Sequence, residues 1–410
     1  MERREFVKTT GATGLALLAG RSGGAADGPA LRAPVSHAAR QQPALGPEVF
    51  ARRLARLQEE LATRKIDLLI ATPSTTFEYF TGDNPGRSER LIALVVPVRG
   101  APAVVCPSFE VERIRAHGAI ADVHGWDEQA DPYRLVATVT HGLKKTPGRA
   151  TVALESSTAY ATFLRLEDAL GGAKLIDAAP VTERLRIVKA PEEVALIRRA
   201  IEITEAAIAA TQAALAVGQT ERDVARLLSR EMQQRGAEGG GLVQFGPSSA
   251  LPHGHPGDRA LERDAVVLMD CGCRVSGYQS DITRTIWFGD HPPEEFRKVF
   301  NVVHDAQTAA IALGRPLFTK CQELDRAARK VIADAGYGAF FTHRLGHGLG
   351  LDVHEPPYIV EGNETRLEPG MVFTSEPGIY QPGKFGVRIE DDCVMTDNGI
   401  EVLSHRVAKL

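Results

Sequence analysis

The chain has 410 residues, with 48 Lys+Arg against 52 Asp+Glu and 43% hydrophobic residues, a composition that excludes an intrinsically disordered, collagen-like or polytopic membrane protein. Its formal net charge of −4 supplies no broad basic field, so nucleic acid is not an expected partner. Five scattered cysteines, at 106, 271, 273, 321 and 393, argue against a disulfide framework and leave no paired CxxC zinc knuckle.

The N-terminus reads as an address. Arg3-Arg4, with Phe6 and Lys8 after them, precede the mildly apolar run 10–20 and the small residues 22–26, an order that looks like a twin-arginine export signal over 1–26. The apolar run is too short to span a bilayer, so an exported, periplasmic or secreted protein without a retained membrane anchor is expected. The alternative is a cytoplasmic protein whose N-terminus happens to carry two arginines. Residues 27–47, rich in Ala, Pro and Gly, read as a linker.

From 48 to 180 helical and strand patterns alternate. Phe50, Leu54, Leu57 and Leu61 have the spacing of an amphipathic helix, and the apolar runs 66–71, 91–97, 103–106 and 151–154 predict strands. Helices are expected near 109–117, 131–145 and 158–170, giving an α/β layered domain with no assembled chemistry. The second domain, 181–410, begins with a helix opened by Pro191, Glu192 and Glu193 and running to about Val217. Thr220 and Asp223 form a capping box for the next helix. Strands and Gly-rich turns follow, with further helices around 293–313 and 321–335, an α+β pattern.

The chemistry lies in this second half. The apolar strand 265–269 ends in Asp270, and a carboxylate there must be exposed, paired or bound to a cation. Asp281 begins a second strand-like run, and Gly272 and Gly277 permit a hairpin-like return that brings the two aspartates together. Next comes a glycine-punctuated loop with His343, His347 and His354, where a His between glycines can approach an ion closely. No strand-to-helix context or Lys-Ser/Thr follows, so a phosphate cradle is not supported. Met371 to Ser375 is another apolar strand that delivers a carboxylate, Glu376, into a turn. In 385–394, Arg388 and Glu390 share one strand face, so that Arg388 can orient or buttress the cluster.

Asp270, Asp281, His347, Glu376 and Glu390 give four carboxylates and one imidazole. They cannot all stay ionised in a buried cleft without a compensating cation. Two divalent ions resolve the conflict, and an oxygen-rich set with one nitrogen and no sulfur suits Mn²⁺ best, with Co²⁺, Fe²⁺ or Zn²⁺ possible by affinity. Thr283 can hydrogen-bond a metal carboxylate or serve only as a strand residue. Cys271 and Cys273 read as packing, one of His253 and His255 as functional and the other as exposed, and Asp391 and Asp392 as solvated.

With these residues in order, the chain resembles the prolidase, aminopeptidase P, methionine aminopeptidase and creatinase superfamily over about 48–404. The motifs are Leu251-Pro252-His253, Asp270, Asp281, Gly346-His347-Gly348, Val353-His354-Glu355, Ser375-Glu376-Pro377 and Val387-Arg388-Ile389-Glu390. The resemblance implies a creatinase/prolidase-like N-terminal domain followed by a pita-bread catalytic domain. It further implies that Asp270 and Asp281 bind one metal, that His347 and Glu376 hold the other, and that Glu390 bridges both. Activity would be hydrolysis of Xaa-Pro bonds at the N-terminus of peptides, of aminopeptidase P or Xaa-Pro dipeptidase type, with a metal-bridging hydroxide as nucleophile. Glu376 would shuttle the proton, His253 and His354 would hold the scissile carbonyl and developing oxyanion, Arg388 would contact substrate, and the assembly would be a homodimer or higher homo-oligomer. One departure bears on substrate length. Several prolidases carry an Arg four residues beyond the His354 counterpart, or in a nearby insert, to pair with the dipeptide's C-terminal carboxylate. This chain has Tyr358 there, with Arg366 farther on, which argues against dipeptides as the preferred substrate and for longer Xaa-Pro peptides. Arg87 and Arg90 are read as surface residues, with replacement of the cation from a partner subunit as the alternative. The alternatives are a creatinase-like, metal-independent C–N hydrolase and a catalytically inactive binding module.

Overall fold

A computed structural model describes residues 45–143 and 149–410. The expected export signal over 1–26, and the expected linker as far as residue 44, lie outside the described residues. Pro47 already belongs to the first helix, Pro47–Thr63, where it fits because a first-turn N–H has no intrahelical acceptor. The buried positions Val49, Arg53, Leu57 and Leu61 recur every fourth residue and make the face that packs inward.

Behind this helix lies a six-stranded mixed sheet in the order Asp122–Trp126, Ala103–Pro107, Ala93–Pro97, Leu68–Ala71, Thr151–Leu154 and Lys174–Asp177. The four inner strands are almost wholly buried, whereas the two outer ones are partly exposed. An edge strand pairs on one side only and needs no continuous apolar run. That is why the inner four are legible as apolar runs and the outer two are not.

The second half opens with the helices Pro191–Ala213 and Glu221–Gln234. The first ends at Ala213, short of the expected Val217. The capping box forms as expected, with the Asp223 N–H donating to Thr220 Oγ1 at 3.1 Å and the Thr220 N–H to the Asp223 carboxylate at 3.0 Å. An antiparallel sheet of Glu238–Phe245, Ala265–Val275 and Ile282–Phe288 faces a second one ordered Glu355–Ile359, Gly346–Gly348, Val372–Ser375, Asp391–Thr396 and Gly399–Val402. The helices Glu294–Ala312 and Cys321–Asp334 and the hairpin Gly378–Gln381 with Phe385–Arg388 complete the unit. No described helix is long and apolar enough to cross a membrane.

The N-terminal domain grips the catalytic half at two points. Arg53 is buried, with its guanidinium 2.6 Å from the Tyr278 hydroxyl, 3.1 Å from Glu193 and 2.8 Å from the Tyr79 carbonyl. Tyr278 follows the two-residue turn Ser276 (φ +46°) and Gly277 (φ +91°), whose left-handed backbone suits a tight hairpin. Gly277 makes the return, and Gly272 lies inside the strand. At the second point Thr75 donates to Asp352 at 2.8 Å, and Arg186 and Lys189, at the junction with the second half, hold the same place, Arg186 pairing with Asp352 at 2.7 Å and with Glu355, and Lys189 with Glu355 at 2.6 Å. These contacts bracket His354. The N-terminal domain, which lacks the donor residues, thus anchors both the hairpin that carries the aspartates and the loop that carries a histidine.

Candidate metal centre

Asp270 lies in the middle of the strand Ala265–Val275, which runs on past the end expected at Asp270, whereas the other expected donors lie in or beside short strands or at a strand start. Asp270 lies opposite Thr283 on one neighbouring strand and Leu242 on the other. Asp281 precedes Ile282–Phe288, and its N–H donates to the Asp392 carboxylate at 3.0 Å. Glu376 follows Val372–Ser375, with its N–H on the Leu345 carbonyl at 2.8 Å. Glu390 comes two residues after the strand Phe385–Arg388 and donates its N–H to the Thr283 carbonyl at 3.2 Å. His347 sits between two glycines because backbone closes on both sides. A Cβ at Gly346 would stand 2.0 Å from the Thr374 carbonyl oxygen, and one at Gly348 would stand 2.2 Å from that of Pro356. Those glycines admit neighbouring strands, a different reason from the ion access expected of them.

The side chains converge. Donor atoms of Asp270, Asp281 and Glu390 lie within 4.8 Å of one another, as do those of His347, Glu376 and Glu390, so the two triads share Glu390. Asp281, His347 and His354 form a third such group, with the rings of His347 and His354 edge to face at 4.1 Å. All of these residues line a cleft of about 620 Å³, together with His253, His343, Arg344 and Arg388. A larger cavity of about 760 Å³, lined by Arg53, Glu78, Arg274 and Tyr278, holds none of the clustered donors.

Electrostatics make the cluster unstable by itself. Burial, reinforced by Asp270, Asp392 and Glu376, pushes the Asp281 carboxyl well above its usual range. Burial, reinforced by Asp281, Glu376 and Asp270, does the same to Glu390. Burial also pushes Glu376 up, but the hydrogen bond and charge of His347, with His343 and Arg388, outweigh it and hold the group at about 2. His354 is pushed down to about 4 by burial and then by the charges of His347 and Arg344, so its imidazole is neutral at neutral pH.

The histidine geometry tests whether a cation fits. His347 Nδ1 lies 3.1 Å from the Gly348 carbonyl, which can only accept, so Nδ1 carries the hydrogen. Nε2 then faces Glu376 at 3.2 Å and Asp281 at 3.7 Å, as a donor when the ring is charged and as a lone pair when it is neutral. Either way a positive charge must lie between Nε2 and those two oxygens, and a single proton cannot neutralise four carboxylates. Oxygen donors with one imidazole and no sulfur match divalent ions, so the residues present fit the metal. Cys271 and Cys273 alternate away from Asp270 into the core, where Cys273 Sγ meets the Ala200 carbonyl at 3.2 Å.

Arg388 buttresses this cluster. Its Nε donates to Thr283 Oγ1 at 3.0 Å, one terminal nitrogen to the Tyr380 hydroxyl at 2.7 Å, and the other to Asp270. Thr283 in turn donates to Glu390 at 2.6 Å, so of its two expected roles the carboxylate contact is the one present. Each of the three Arg388 nitrogens thus has a protein partner, so the residue positions the cluster while it also lines the cleft. The expectation that Asp391 and Asp392 are solvated is overturned, since both are fully buried. Asp391 accepts from Arg284 at 2.8 Å, Ser404 at 2.6 Å and Gln307 at 3.0 Å, while Asp392 orients Asp281. Of the two neighbouring histidines, both exposed, His253 lines the cleft and His255 does not.

Sequence reasoning did not assign roles to Tyr380, Arg344 or Asp392. Tyr380 bridges Arg388 and His343, the latter at 2.8 Å, and only the hairpin register could have found it. The arginines considered as substitutes for a cation at Tyr358 are engaged elsewhere. Arg87 donates to the Pro73 carbonyl at 3.2 Å, Arg90 pairs with Glu128 at 2.8 Å, and Arg366 donates to the Phe318 carbonyl at 2.9 Å.

Comparison with known proteins agrees with this geometry. Residues 195–397 match the model of metallopeptidase family M24, and residues 53–188 match that of the creatinase/prolidase N-terminal domain. An uncharacterized peptidase of Staphylococcus aureus is 35% identical over 356 residues, covering 86% of this chain and 99% of that protein. The crystal structure of the dipeptidase PepE from Mycobacterium ulcerans superimposes with a TM-score of 0.83 at 36% identity, covering 90% of this chain and 99% of that one. A prolidase from Thermococcus sibiricus gives 0.81 at 33% identity, covering 88% and 98%. The chain therefore belongs to metallopeptidase family M24, with a creatinase/prolidase N-terminal domain ahead of a pita-bread catalytic domain, and is a peptide hydrolase.

Proposed function

We propose that the protein is a dinuclear metal-dependent exopeptidase that hydrolyses Xaa-Pro bonds at the N-terminus of peptides. The observation carrying this reading is the sharing of Glu390 between two donor triads in a cleft that also presents His253 and His354. Asp270, Asp281 and Glu390 would hold one ion, and His347, Glu376 and Glu390 the other. A bound pair supplies Lewis-acid polarisation of the peptide carbonyl and a water acidic enough to attack it.

The protein's own groups do the rest. Oε1 of Glu376 is engaged by His347 at 3.2 Å and Thr374 at 3.2 Å, which leaves Oε2 to take a proton from water and pass it to the leaving proline nitrogen. His354 as a neutral imidazole can donate its N–H to the carbonyl oxygen as negative charge develops there, with His253 in the same cleft. Arg388 and Thr283 hold Asp270 and Glu390 in place.

Selectivity for proline is supported by the prolidase among the similar structures; an Xaa-Pro bond has a tertiary amide without an N–H, and few general peptidases accept it. The same reading has Mn²⁺ as the metal, export through the signal around Arg3-Arg4, and a homodimer or higher homo-oligomer as the assembly. With defined Mn²⁺, Gly-Pro, Ala-Pro or an Xaa-Pro-Yaa tripeptide should be cleaved, with Ala-Ala and creatine left intact. Equal cleavage of Ala-Ala would refute proline selectivity, and creatine turnover by ion-free protein would refute the reading as a whole.

A further inference from the structure

We propose that Arg344 is the specificity-determining residue that reads the free carboxylate of an Xaa-Pro dipeptide, which makes the protein a dipeptidase rather than a peptidase for longer chains. This rests on the Xaa-Pro reading above and extends it to substrate length.

A dipeptide substrate creates an electrostatic problem here. Its carboxylate is on the proline itself, two bonds and about 2.5 Å from the scissile nitrogen, and so enters a cleft walled by Asp270, Asp281, Glu376 and Glu390. A carboxylate brought into that field needs a dedicated cation. Among the described residues lining the cleft, Arg344 and Arg388 are the permanently charged cations. Every nitrogen of Arg388 is already held by Thr283, Tyr380 or Asp270.

Arg344 is different. It is half-buried in the cleft wall, and among the described residues no carboxylate forms an ion pair with it and no side chain or carbonyl accepts from its guanidinium. The guanidinium instead lies over the ring of Tyr358, 4.5 Å from the centroid, and its charge is felt at His354. Stacking on an aromatic face leaves the planar edge of the guanidinium free, which is the edge that grips a carboxylate through two parallel hydrogen bonds. The backbone beneath it is fixed: the Arg344 carbonyl is 2.7 Å from His343 Nδ1, and the next residue's N–H donates to the buried Asp325 carboxylate at 2.9 Å. A half-buried, pre-oriented and unpaired arginine beside an acidic centre is matched to an anionic group that comes from outside the protein. Tyr358, at the position noted for its missing arginine, supplies the shelf on which this one rests.

The test compares Ala-Pro with Ala-prolinamide, which differ only in the terminal charge, alongside Ala-Pro-Ala, all with Mn²⁺. Wild type should favour Ala-Pro over the amide by roughly 10- to 100-fold in kcat/KM, the range expected of a hydrogen-bonded charge pair. Arg344→Gln should collapse that ratio toward one, mainly through a higher KM for Ala-Pro, and Arg344→Lys should recover part of it because a point charge replaces the fork. Equal cleavage of acid and amide by wild type, a preference for Ala-Pro-Ala, or an Arg344→Gln defect of the same size on acid and amide would overturn the role of Arg344 and leave the Xaa-Pro reading intact. Failure of wild type on all three substrates would overturn that reading and this inference with it.

Discussion

Glu376→Gln is expected to lower kcat for Xaa-Pro cleavage by at least about 10²-fold while the fold survives. The substitution preserves shape, and the backbone N–H at 376 keeps its bond to the Leu345 carbonyl. What is lost is a carboxylate held ionised at about 2 by His347, His343 and Arg388 against the upward push of burial. A carboxamide cannot accept and return a proton, and it is a poorer ligand for a hard divalent ion. The measurement is kcat on Ala-Pro beside circular dichroism and thermal unfolding of the same preparation. Retained activity in a folded variant would remove Glu376 from both of its assigned roles. A variant that fails to fold would call for Asp281→Asn, which touches the other triad and carries the same expected loss.

Stripping divalent ions with a chelator should abolish turnover, and added Mn²⁺ should restore it. The expectation follows from the position of Asp281 and Glu390, whose carboxyls burial and mutual repulsion push well above their usual range. Without a cation, folding must hold these groups together either protonated or in repulsion. A bound ion removes that conflict, and because it binds the folded state it also stabilises it, by about 2.7 kcal/mol at a hundredfold excess over Kd. For a chain of this size that corresponds to a rise of several degrees in Tm. Activity and Tm should therefore fall and recover together as metal is removed and returned. Undiminished turnover in metal-free protein would contradict the mechanism.

Much of the site is legible because its carboxylates interrupt strong patterns. Asp270 follows an unbroken apolar run, and Glu376 follows another, so each stands out as a charge delivered by a buried strand. What stays hidden depends on partners distant in sequence. Asp392 reads as a surface residue because its neighbour Asp391 is also acidic. Its burial is set by Asp281, across 111 residues, and that of Asp391 by Arg284, across 107. Arg53 reads as a polar position on an amphipathic helix, yet it is buried against Tyr278 and Glu193 from the catalytic half. The edge strands Asp122–Trp126 and Lys174–Asp177 escape because one-sided pairing imposes no apolar run. Arg344 is visible only as a basic residue near three histidines. Its lack of an acidic partner, the property that matters, belongs to the folded cleft.

The reach of the N-terminal domain into the site has a similar origin. Arg186 contributes no donor, but it lies within the stretch 53–188 that matches the N-terminal domain model, and its pairing with Asp352 and Glu355 fixes the chain on both sides of His354. The domain with the thinner motif content therefore shapes the cleft through buried ion pairs, which are costly to leave half-made.

The sharpest test is an anomalous difference map from crystals of the intact protein saturated with Mn²⁺, recorded on either side of the manganese edge. Two peaks in contact with a common Glu390, one against Asp270 and Asp281 and the other against His347 and Glu376, are predicted. A single peak, or none, would contradict the account.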